Sequence, residues 1–311
     1  MKISWRARLI RRVTSKFVKG IDTSTIDLSH VTEMRARLDK ISRLLKRAFG
    51  VSVEATTVNG LYAEWLRPRN PVPGKVLLYL HGGAYLVGSC RTHRQLVSHI
   101  ARAAHINAIV PEYRLAPENP FPAAVEDAVG VYRALLADGI SPDDIFIAGD
   151  SAGGGLTVAT LLSLRHEGAP MPAAAVLLSP FLDVTASGES ATTRAAQDPW
   201  FDAKDMHVVT GNYCGEGADL RNPLISPVFA NVAGLPPTLI QVGDDEILLS
   251  DSTRFAEKMK AAGLDIEIEI WPGMWHVFQL FVGKMPESRR AIKRIGAYIK
   301  ARSQPVAPSE S

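Results

Sequence analysis

The chain has little cysteine, little net charge and no long apolar run. Cysteine occurs at two positions in 311 residues, Cys90 and Cys214, which excludes a disulfide-stapled fold and indicates a reducing compartment. The net charge of +3 is too small to indicate a nucleic-acid partner. The most apolar stretches, such as 76–80 and 173–178, fall far short of the ~20 residues that span a bilayer. Residues 1–20 lack the apolar segment of a secretory signal, so we expect a cytoplasmic globular protein.

Short apolar runs alternate with helical patterns along most of the chain. A hairpin is predicted at 53–58 and 61–67, because Asn59-Gly60 between them is a strong two-residue turn. The further predicted strands are 75–80, 108–110, 145–148, 174–178, 238–242 and 265–270. The predicted helices between or after them are 92–104, 123–137, 152–167, 252–262 and 287–301. This alternation predicts an α/β fold with a mostly parallel sheet and helices on both faces. Residues 266–270 alternate strictly between Ile and Glu, which indicates a strand near the edge of the sheet.

Two parts of the chain depart from that alternation. Residues 1–50 have apolar residues at helical spacing in two segments. Residues 183–215 have weak periodicity and many Gly, Pro, Asp and Trp residues. Because a long irregular segment inside a compact domain is usually functional, we interpret it as an insertion that packs with the N-terminal helices.

A serine lies at a predicted strand-to-helix turn. Residues 149–153 read Gly-Asp-Ser-Ala-Gly, which fits the G-x-S-x-G pattern in which Ser151 would be exposed at the carboxyl edge of the sheet. The backbone N–H of Ala152 would then point at a developing oxyanion. Asp150 is expected to support the turn rather than to transfer protons. Without further motifs, the pattern fits a glycine-rich turn with no chemistry equally well.

A second glycine motif makes the catalytic interpretation stronger. Residues 81–84 read His-Gly-Gly-Ala directly after a predicted strand, where glycines let the backbone approach a substrate. In esterases with this arrangement such a loop supplies oxyanion donors, which here would be the N–H groups of Gly82 and Gly83. His81 is expected to hold the loop by hydrogen bonds and not to act as a base.

A serine nucleophile also requires a histidine base and an orienting carboxylate, in the chain order Ser, acid, His. Of the eight histidines, His276 alone follows the last predicted strand in this order. The acid should follow the strand 238–242, where Asp244, Asp245 and Glu246 are consecutive. Spacing alone does not separate them. We predict Asp245, one residue further from the strand end, with Glu246 as the main alternative.

These motifs together resemble the hormone-sensitive-lipase-like branch of the α/β-hydrolase esterases. The resembling segments extend over about 75–280 and are 81–84, 113–118, 149–154, 179–180, 198–199, 234–237, 242–249 and His276. The resemblance implies an eight-stranded sheet, a catalytic domain of 51–182 and 216–311, and a helical cap built from 1–50 and 183–215. It also places the acid at Asp245. Many relatives have a third glycine where this chain has Ala84, and the adjacent Tyr85 is expected to line the acyl or alcohol site.

The activity implied is that of a serine carboxylesterase acting on small, short- to medium-chain esters, with no metal or organic cofactor. Alternatives with the same triad are a lipase, an amidase or a natural-product deacetylase. A non-catalytic small-molecule receptor on the same fold is disfavoured, because Ser151, Asp245 and His276 are all present. A homodimer is left open.

The N-terminal segment carries the basic excess and allows two interpretations. Seven cations precede the first acid, Asp22, namely Lys2, Arg6, Arg8, Arg11, Arg12, Lys16 and Lys19. Four apolar residues share one side of the same helical pattern, namely Trp5, Leu9, Val13 and Phe17. Such a segment resembles a membrane-interfacial helix. We favour a cap helix whose apolar side covers the mouth of the site, because burial explains the stripe without a bilayer.

Overall fold

The computed structural model describes residues 3–18 and 28–303. Within these residues, eight strands form one sheet in the order β1-β2-β4-β3-β5-β6-β7-β8. They are β1 Val51–Val58, β2 Leu61–Pro68, β3 Val76–Leu80, β4 Asn107–Pro111, β5 Ile145–Asp150, β6 Ala174–Leu178, β7 Thr238–Gly243 and β8 Ile266–Trp271. Strand β2 runs antiparallel to β1 and β4, and the other neighbours are parallel. The α/β-hydrolase fold class and its eight strands are therefore confirmed.

The α-helices cover both faces of this sheet. In the described residues they are α1 Trp5–Val18, α2 Leu28–Ser42, α3 Cys90–Ala104, α4 Ala123–Ala137, α5 Ala152–His166, α6 Ser190–Thr193, α7 Met206–Val209, α8 Leu249–Ala261 and α9 Pro286–Arg302. Alternate residues of β3 enter different cores. Leu78 and Leu80 pack in the core shared with α4, α5 and α8, and Leu77 and Tyr79 in the core shared with α3 and α9. Most residues of the central strands are apolar because both faces of these strands are buried.

Strand β8 lies at one edge of the sheet, as the alternation of Ile and Glu predicts. Its Glu267 and Glu269, on the face that α9 covers, form ion pairs with Arg294 of that helix, and Arg302 also approaches Glu267. Charged side chains on an edge strand discourage pairing with another chain.

The two segments predicted to form a cap contact each other near the end of the sheet. Ala7 and Ile10 of α1, together with Ile3 just before the helix, pack in a small core with Trp275 and with Trp200 of the insertion. The hydroxyl of Ser4 donates to Glu287 at the start of α9 (2.9 Å). These contacts are consistent with a cap of 1–50 and 183–215, although the division itself stays a prediction. Residues 1, 2 and 19–27 of the predicted cap lie outside the described residues.

Candidate active site

The predicted site residues follow strands whose carboxyl ends meet at one edge of the sheet. Leu80 at the end of β3 pairs with Gly149 of β5, and Asp150 pairs with Leu178 of β6. Further along, Gly243 of β7 pairs with Trp271 of β8. The loops after these strands therefore emerge side by side, and they carry the glycine loop, Ser151, the acids and His276.

Ser151 occupies a strained turn between β5 and α5. Its backbone has φ 54° and ψ −122°, a conformation that is costly for a residue with a side chain. The turn is held by hydrogen bonds from Ser151 N to the Leu178 carbonyl and from Phe181 N to the Ser151 carbonyl, each 2.9 Å. A Cβ on Gly149 would overlap the Gly153 carbonyl, so the pattern needs glycine there because of close backbone packing.

His276 is paired with Glu246, which corrects our choice of Asp245. His276 Nδ1 lies 2.9 Å from Glu246 Oε2. The other carboxylate oxygen, Oε1, accepts from Gly243 N (2.6 Å) and from Ser179 Oγ (2.8 Å). Because Glu246 is completely buried, each of these donors offsets the loss of water around its charge. The alternative that spacing left open is therefore the one that contacts the histidine.

The three consecutive acids bind three different elements. Asp244 Oδ1 accepts from Gly273 N in the loop before His276 (2.5 Å). Asp245 faces outward and forms an ion pair with Arg11 of α1, while its own N–H donates to the Met274 carbonyl (3.0 Å). The turn after β7 directs residues 244 and 245 away from the imidazole, and the longer side chain of Glu246 reaches it from inside the protein.

The insertion supplies a further buried carboxylate and an aromatic wall beside His276. Asp198 accepts from Ile247 N (2.9 Å), Trp200 N (2.8 Å) and Phe201 N (3.0 Å). Burial raises the pKa of Asp198, and the backbone donors and His276 oppose that rise. The Phe201 ring stands edge-on to His276 with 4.8 Å between centroids. Asp198 thus fixes the insertion to the residue that follows Glu246.

The glycine loop differs from our expectation at one donor. The N–H of Gly82 donates to Asp150 Oδ1 (3.1 Å), so it is already engaged and our assignment of Gly82 to the oxyanion hole is corrected. In the described part of the chain, no hydrogen bond uses the N–H of Gly83, Ala84 or Ala152. For Ala152, at the first position of α5, this is expected because the first turn of a helix has no internal acceptors. These three N–H groups are therefore available to a ligand.

Asp150 joins the serine turn to the glycine loop. It also accepts from Tyr79 Oη (2.7 Å) and contacts His93 Nε2 (3.3 Å). Burial acts to raise the pKa of Asp150, but His93 and the hydrogen bond from Tyr79 outweigh it and lower the pKa below its ordinary value. Burial also acts to lower the pKa of His93, and Asp150 reverses this, so that the pKa is raised. Asp150 thus joins the two loops through hydrogen bonds, and these contacts agree with a supporting role.

His81 is held between other rings. It stacks on Tyr113 with 4.3 Å between centroids, and Tyr113 Oη donates to the His81 carbonyl (2.6 Å). Burial lowers the pKa of His81 to about 3, so the ring is neutral at ordinary pH. These contacts agree with a supporting role.

The Tyr85 side chain is buried, with its ring stacked on Tyr213 of the insertion at 3.7 Å between centroids. Whether it lines the substrate site stays a prediction. Among the described residues, no three His, Cys, Asp or Glu side chains form a group that could hold a metal ion.

Several supporting residues are not identified by the sequence. Ser179 lies in a segment that carries the family resemblance, and so does Asp198, but neither has a local pattern that assigns it a role. Tyr79 and His93 lie inside a predicted strand and helix, where they read as core residues. Their function becomes visible when the fold brings them to Asp150.

Comparisons with known proteins agree with this geometry. A family model described as alpha/beta hydrolase fold matches residues 77–280. An acetyl-hydrolase of Streptomyces hygroscopicus is 45% identical over 79% of this chain and 82% of that protein. A crystal structure of EstE5 soaked with p-nitrophenyl butyrate has a TM-score of 0.90 at 42% identity, covering 96% of this chain and 99% of that one. An esterase from the bacterial hormone-sensitive lipase family has a TM-score of 0.89 at 41% identity, covering 98% of this chain and 100% of that one.

Proposed function

The chain belongs to the alpha/beta hydrolase fold family, as a carboxylic ester hydrolase of the hormone-sensitive-lipase type, and we propose that it acts through an acyl-enzyme on Ser151. The observation that carries the proposal is the buried contact between His276 Nδ1 and Glu246 Oε2 (2.9 Å), on the loops beside the strained Ser151 turn. The substrates are small esters with short to medium acyl chains.

His276 serves as the base in this mechanism. An ionised carboxylate only accepts hydrogen bonds, so Nδ1 carries the proton toward Glu246 and Nε2 has a lone pair for the serine proton. Ser151 Oγ attacks the ester carbonyl while its proton passes to His276. The imidazolium then protonates the leaving alcohol. Water, activated by the same histidine, releases the acid and restores Ser151.

The N–H groups of Gly83, Ala84 and Ala152 stabilise the tetrahedral oxyanion. Support comes from their lack of protein acceptors in the described residues and from the register that places Leu80 beside Gly149. A single donor of this kind is worth about 3 kcal/mol of transition-state stabilisation. Ala84, which has φ 56°, replaces the glycine of many relatives without losing the N–H.

A second candidate is an acetyl-ester hydrolase with the same residues. It is favoured by the similarity to the Streptomyces acetyl-hydrolase, whose name specifies a two-carbon acyl group. The two candidates differ in tolerance of longer acyl groups. An acetyl-specific enzyme would lose most of its kcat/KM between acetate and butyrate esters of the same alcohol, whereas a general carboxylesterase would not.

Substitution of the two neighbouring acids tests the mechanism. We expect Glu246→Gln to lower kcat for p-nitrophenyl butyrate by about 10³–10⁴-fold, because the neutral amide stabilises neither the tautomer nor the imidazolium. Ser151→Ala should remove turnover almost completely. Asp245→Asn is the matched control and should keep kcat within about threefold of the wild type, since Asp245 contacts Arg11 and not His276.

Circular dichroism and thermal unfolding of all three variants test whether each is folded. The opposite ranking, with Asp245→Asn inactive and Glu246→Gln active, would restore Asp245 as the catalytic acid. Turnover by pure Ser151→Ala at the wild-type rate would refute the acyl-enzyme mechanism.

A further inference from the structure

The outer side of α1 exposes an apolar stripe that the structure does not bury. Trp5, Leu9 and Val13 are 64%, 52% and 46% exposed, and their spacing of four residues places them in one row along the helix. The side of α1 that packs on the protein carries Ala7 and Ile10 instead, and Ile3 just before the helix joins the same core. We favoured a cap helix because burial would explain the apolar stripe. That reason is wrong, because the apolar row faces away from the site.

Arginines border the stripe. Helical spacing places Arg8 and Arg12 on one side of the row and Arg6 on the other. All three are exposed, and the Arg6 guanidinium lies over the Trp5 ring, 5.5 Å from its centroid. The helix sequence Trp5–Val18 contains no Asp or Glu. The exposed row of α1 is thus apolar along its centre and cationic along its borders.

We propose that this face, defined by Trp5, Leu9 and Val13 with Arg6, Arg8 and Arg12, binds the surface of an anionic phospholipid bilayer. An interfacial helix needs an apolar row with cations beside it, and a Trp side chain is favoured at the boundary between headgroups and acyl chains. Lipid phosphates complement the arginines, and the acyl region takes up the apolar row. Within the described residues, no helix is long and apolar enough to cross a bilayer, so the contact is a surface contact.

A second copy of the chain is a poorer occupant of this face. A two-fold contact would place the arginines of one helix against those of the other without intervening acids. A stable interface also buries about 800 Å² on each partner, much more than one row of three apolar side chains provides. The side chains of Lys16 and Phe17, which continue the pattern, lie outside the described residues.

The inner side of α1 connects this face to the candidate active site. Arg11 pairs with Asp245 and donates through Nη2 to the Gln197 carbonyl (2.5 Å), next to Asp198 of the wall beside His276. A bilayer bound to the outer face would thus lie one helix diameter from the loops that hold the triad. Esters that partition into the headgroup region would be concentrated near the site.

Co-sedimentation of the full-length protein with vesicles tests the proposal. Vesicles of phosphatidylcholine containing about one third phosphatidylglycerol should retain the protein, and phosphatidylcholine alone should retain at least about tenfold less. Replacing Trp5, Leu9 and Val13 by serine should lower retention about tenfold or more. Replacing Arg6, Arg8 and Arg12 by glutamine should do the same on anionic vesicles. Hydrolysis of soluble p-nitrophenyl butyrate should be unchanged in both variants.

The matched control replaces two exposed apolar residues elsewhere, Val72→Ser with Ile270→Ser, which are 38% and 46% exposed. This control should bind anionic vesicles like the wild type. Absence of binding by the wild type, or loss of binding in the control as well, would overturn the proposal. So would a wild-type dimer in light scattering that the serine variant dissociates, because a second copy would then occupy the face. The triad variants address the proposed function separately, and their outcome does not affect this one.

Discussion

At the scale of single residues, Asp150 connects the two loops on which the proposed reaction depends. Its carboxylate accepts a hydrogen bond from Gly82 N in the glycine loop. Its backbone leads directly into Ser151, the strained residue of the turn between β5 and α5. A buried carboxylate is stable only with enough donors, and here Tyr79 and His93 complete the set. His93 therefore has an effect on stability that depends on pH.

We expect His93→Gln to destabilise the protein most at about pH 5–6. The raised pKa of His93, above 6.5, means that its contribution is complete below pH 6.5 and is lost as pH rises through the raised value. The lowered pKa of Asp150, below 3.8, means that its contribution is present above pH 3.8 and is lost as pH falls through the lowered value. The free energy of unfolding should fall by about 1–3 kcal/mol in that window.

Urea unfolding of the wild type and the variant across pH 4–9 measures this difference. It should shrink toward pH 9, where His93 is neutral in both states. His166→Gln, on the exposed end of α5, provides the control and should show no such window. A difference independent of pH would mean that packing, not charge, explains the effect of His93.

Single residues also show how far the candidate site can be predicted from the sequence. The positions of Ser151 and His276 at the carboxyl edge of the sheet are predictable, because a turn pattern and chain order single them out. The acid is not, because the three consecutive carboxylates share one turn and differ only in the direction in which the backbone points them. Gly82 is misassigned for a related reason. Its N–H is predicted to be free, because no local pattern shows that Asp150, far along the chain, lies beside it.

At the scale of elements, one arginine attaches α2 to the body of the protein. Arg35 donates to the Leu86 carbonyl (2.7 Å), to the Ala116 carbonyl (2.8 Å) and twice to Glu118 (2.7 and 2.9 Å). The hydrogen bonds from Arg35 lower the pKa of Glu118 despite some burial. Leu86 follows directly after the glycine loop and Tyr85, so α2 is fastened to the loop that is proposed to bind the oxyanion.

We expect Arg35→Met to loosen α2 and to disturb that loop. Cleavage within 28–42 by trypsin or another protease should become at least about tenfold faster, because opening of α2 in the variant no longer has to break the hydrogen bonds of Arg35, each worth about 1 kcal/mol in the wild type. The kcat/KM for p-nitrophenyl butyrate should fall by a few fold. Arg37→Met, on an exposed position of the same helix, removes an equal charge and should change neither quantity. Equal effects of the two substitutions would show that helix charge, not the anchor, is responsible.

Elements with a strong period are predicted well, and elements held by tertiary contacts are not. The strands, and the helices that pack on the sheet, begin and end at or within a few residues of the expected bounds. Burial of a strand on both faces, or of a helix on one face, imposes the period from which these elements are predicted. The insertion contains two four-residue α-helices, α6 and α7, and α7 lies between a 3₁₀ turn at Ala203–Asp205 and a π-helical turn at Thr210–Cys214. Its conformation depends on distant partners, such as Asp198 with Ile247, which no local pattern encodes.

At the scale of the whole molecule, aromatic side chains of the insertion contact both His276 and the glycine loop. Trp200 and Phe201 approach the imidazole from the insertion, and the Tyr85–Tyr213 stack joins the glycine loop to the same segment. In the proposed mechanism, the acyl chain has to fit between these aromatic groups. Their bulk near the proposed nucleophile favours short acyl groups over long ones.

A series of p-nitrophenyl esters measures this limit. We expect kcat/KM to be highest for acetate or butyrate, lower by about tenfold for caprylate, and lowest for palmitate, because each extra methylene must fit a space that does not grow with the chain. A maximum at palmitate would contradict the short-chain prediction and favour a lipase. Soluble and micellar substrate should be distinguished by measuring below the critical micelle concentration of each ester.

The separate partners of Asp244, Asp245 and Glu246 limit how this scaffold can be recombined. One turn is tied at successive residues to the loop of Gly273, to Arg11 of the N-terminal helix and to His276. A chimera that takes its N-terminal helices from another esterase would leave Asp245 without its cation unless residue 245 is exchanged as well. Modular exchange of the N-terminal helices therefore has to include a residue adjacent to the proposed catalytic acid, although the two lie more than 200 positions apart in the chain.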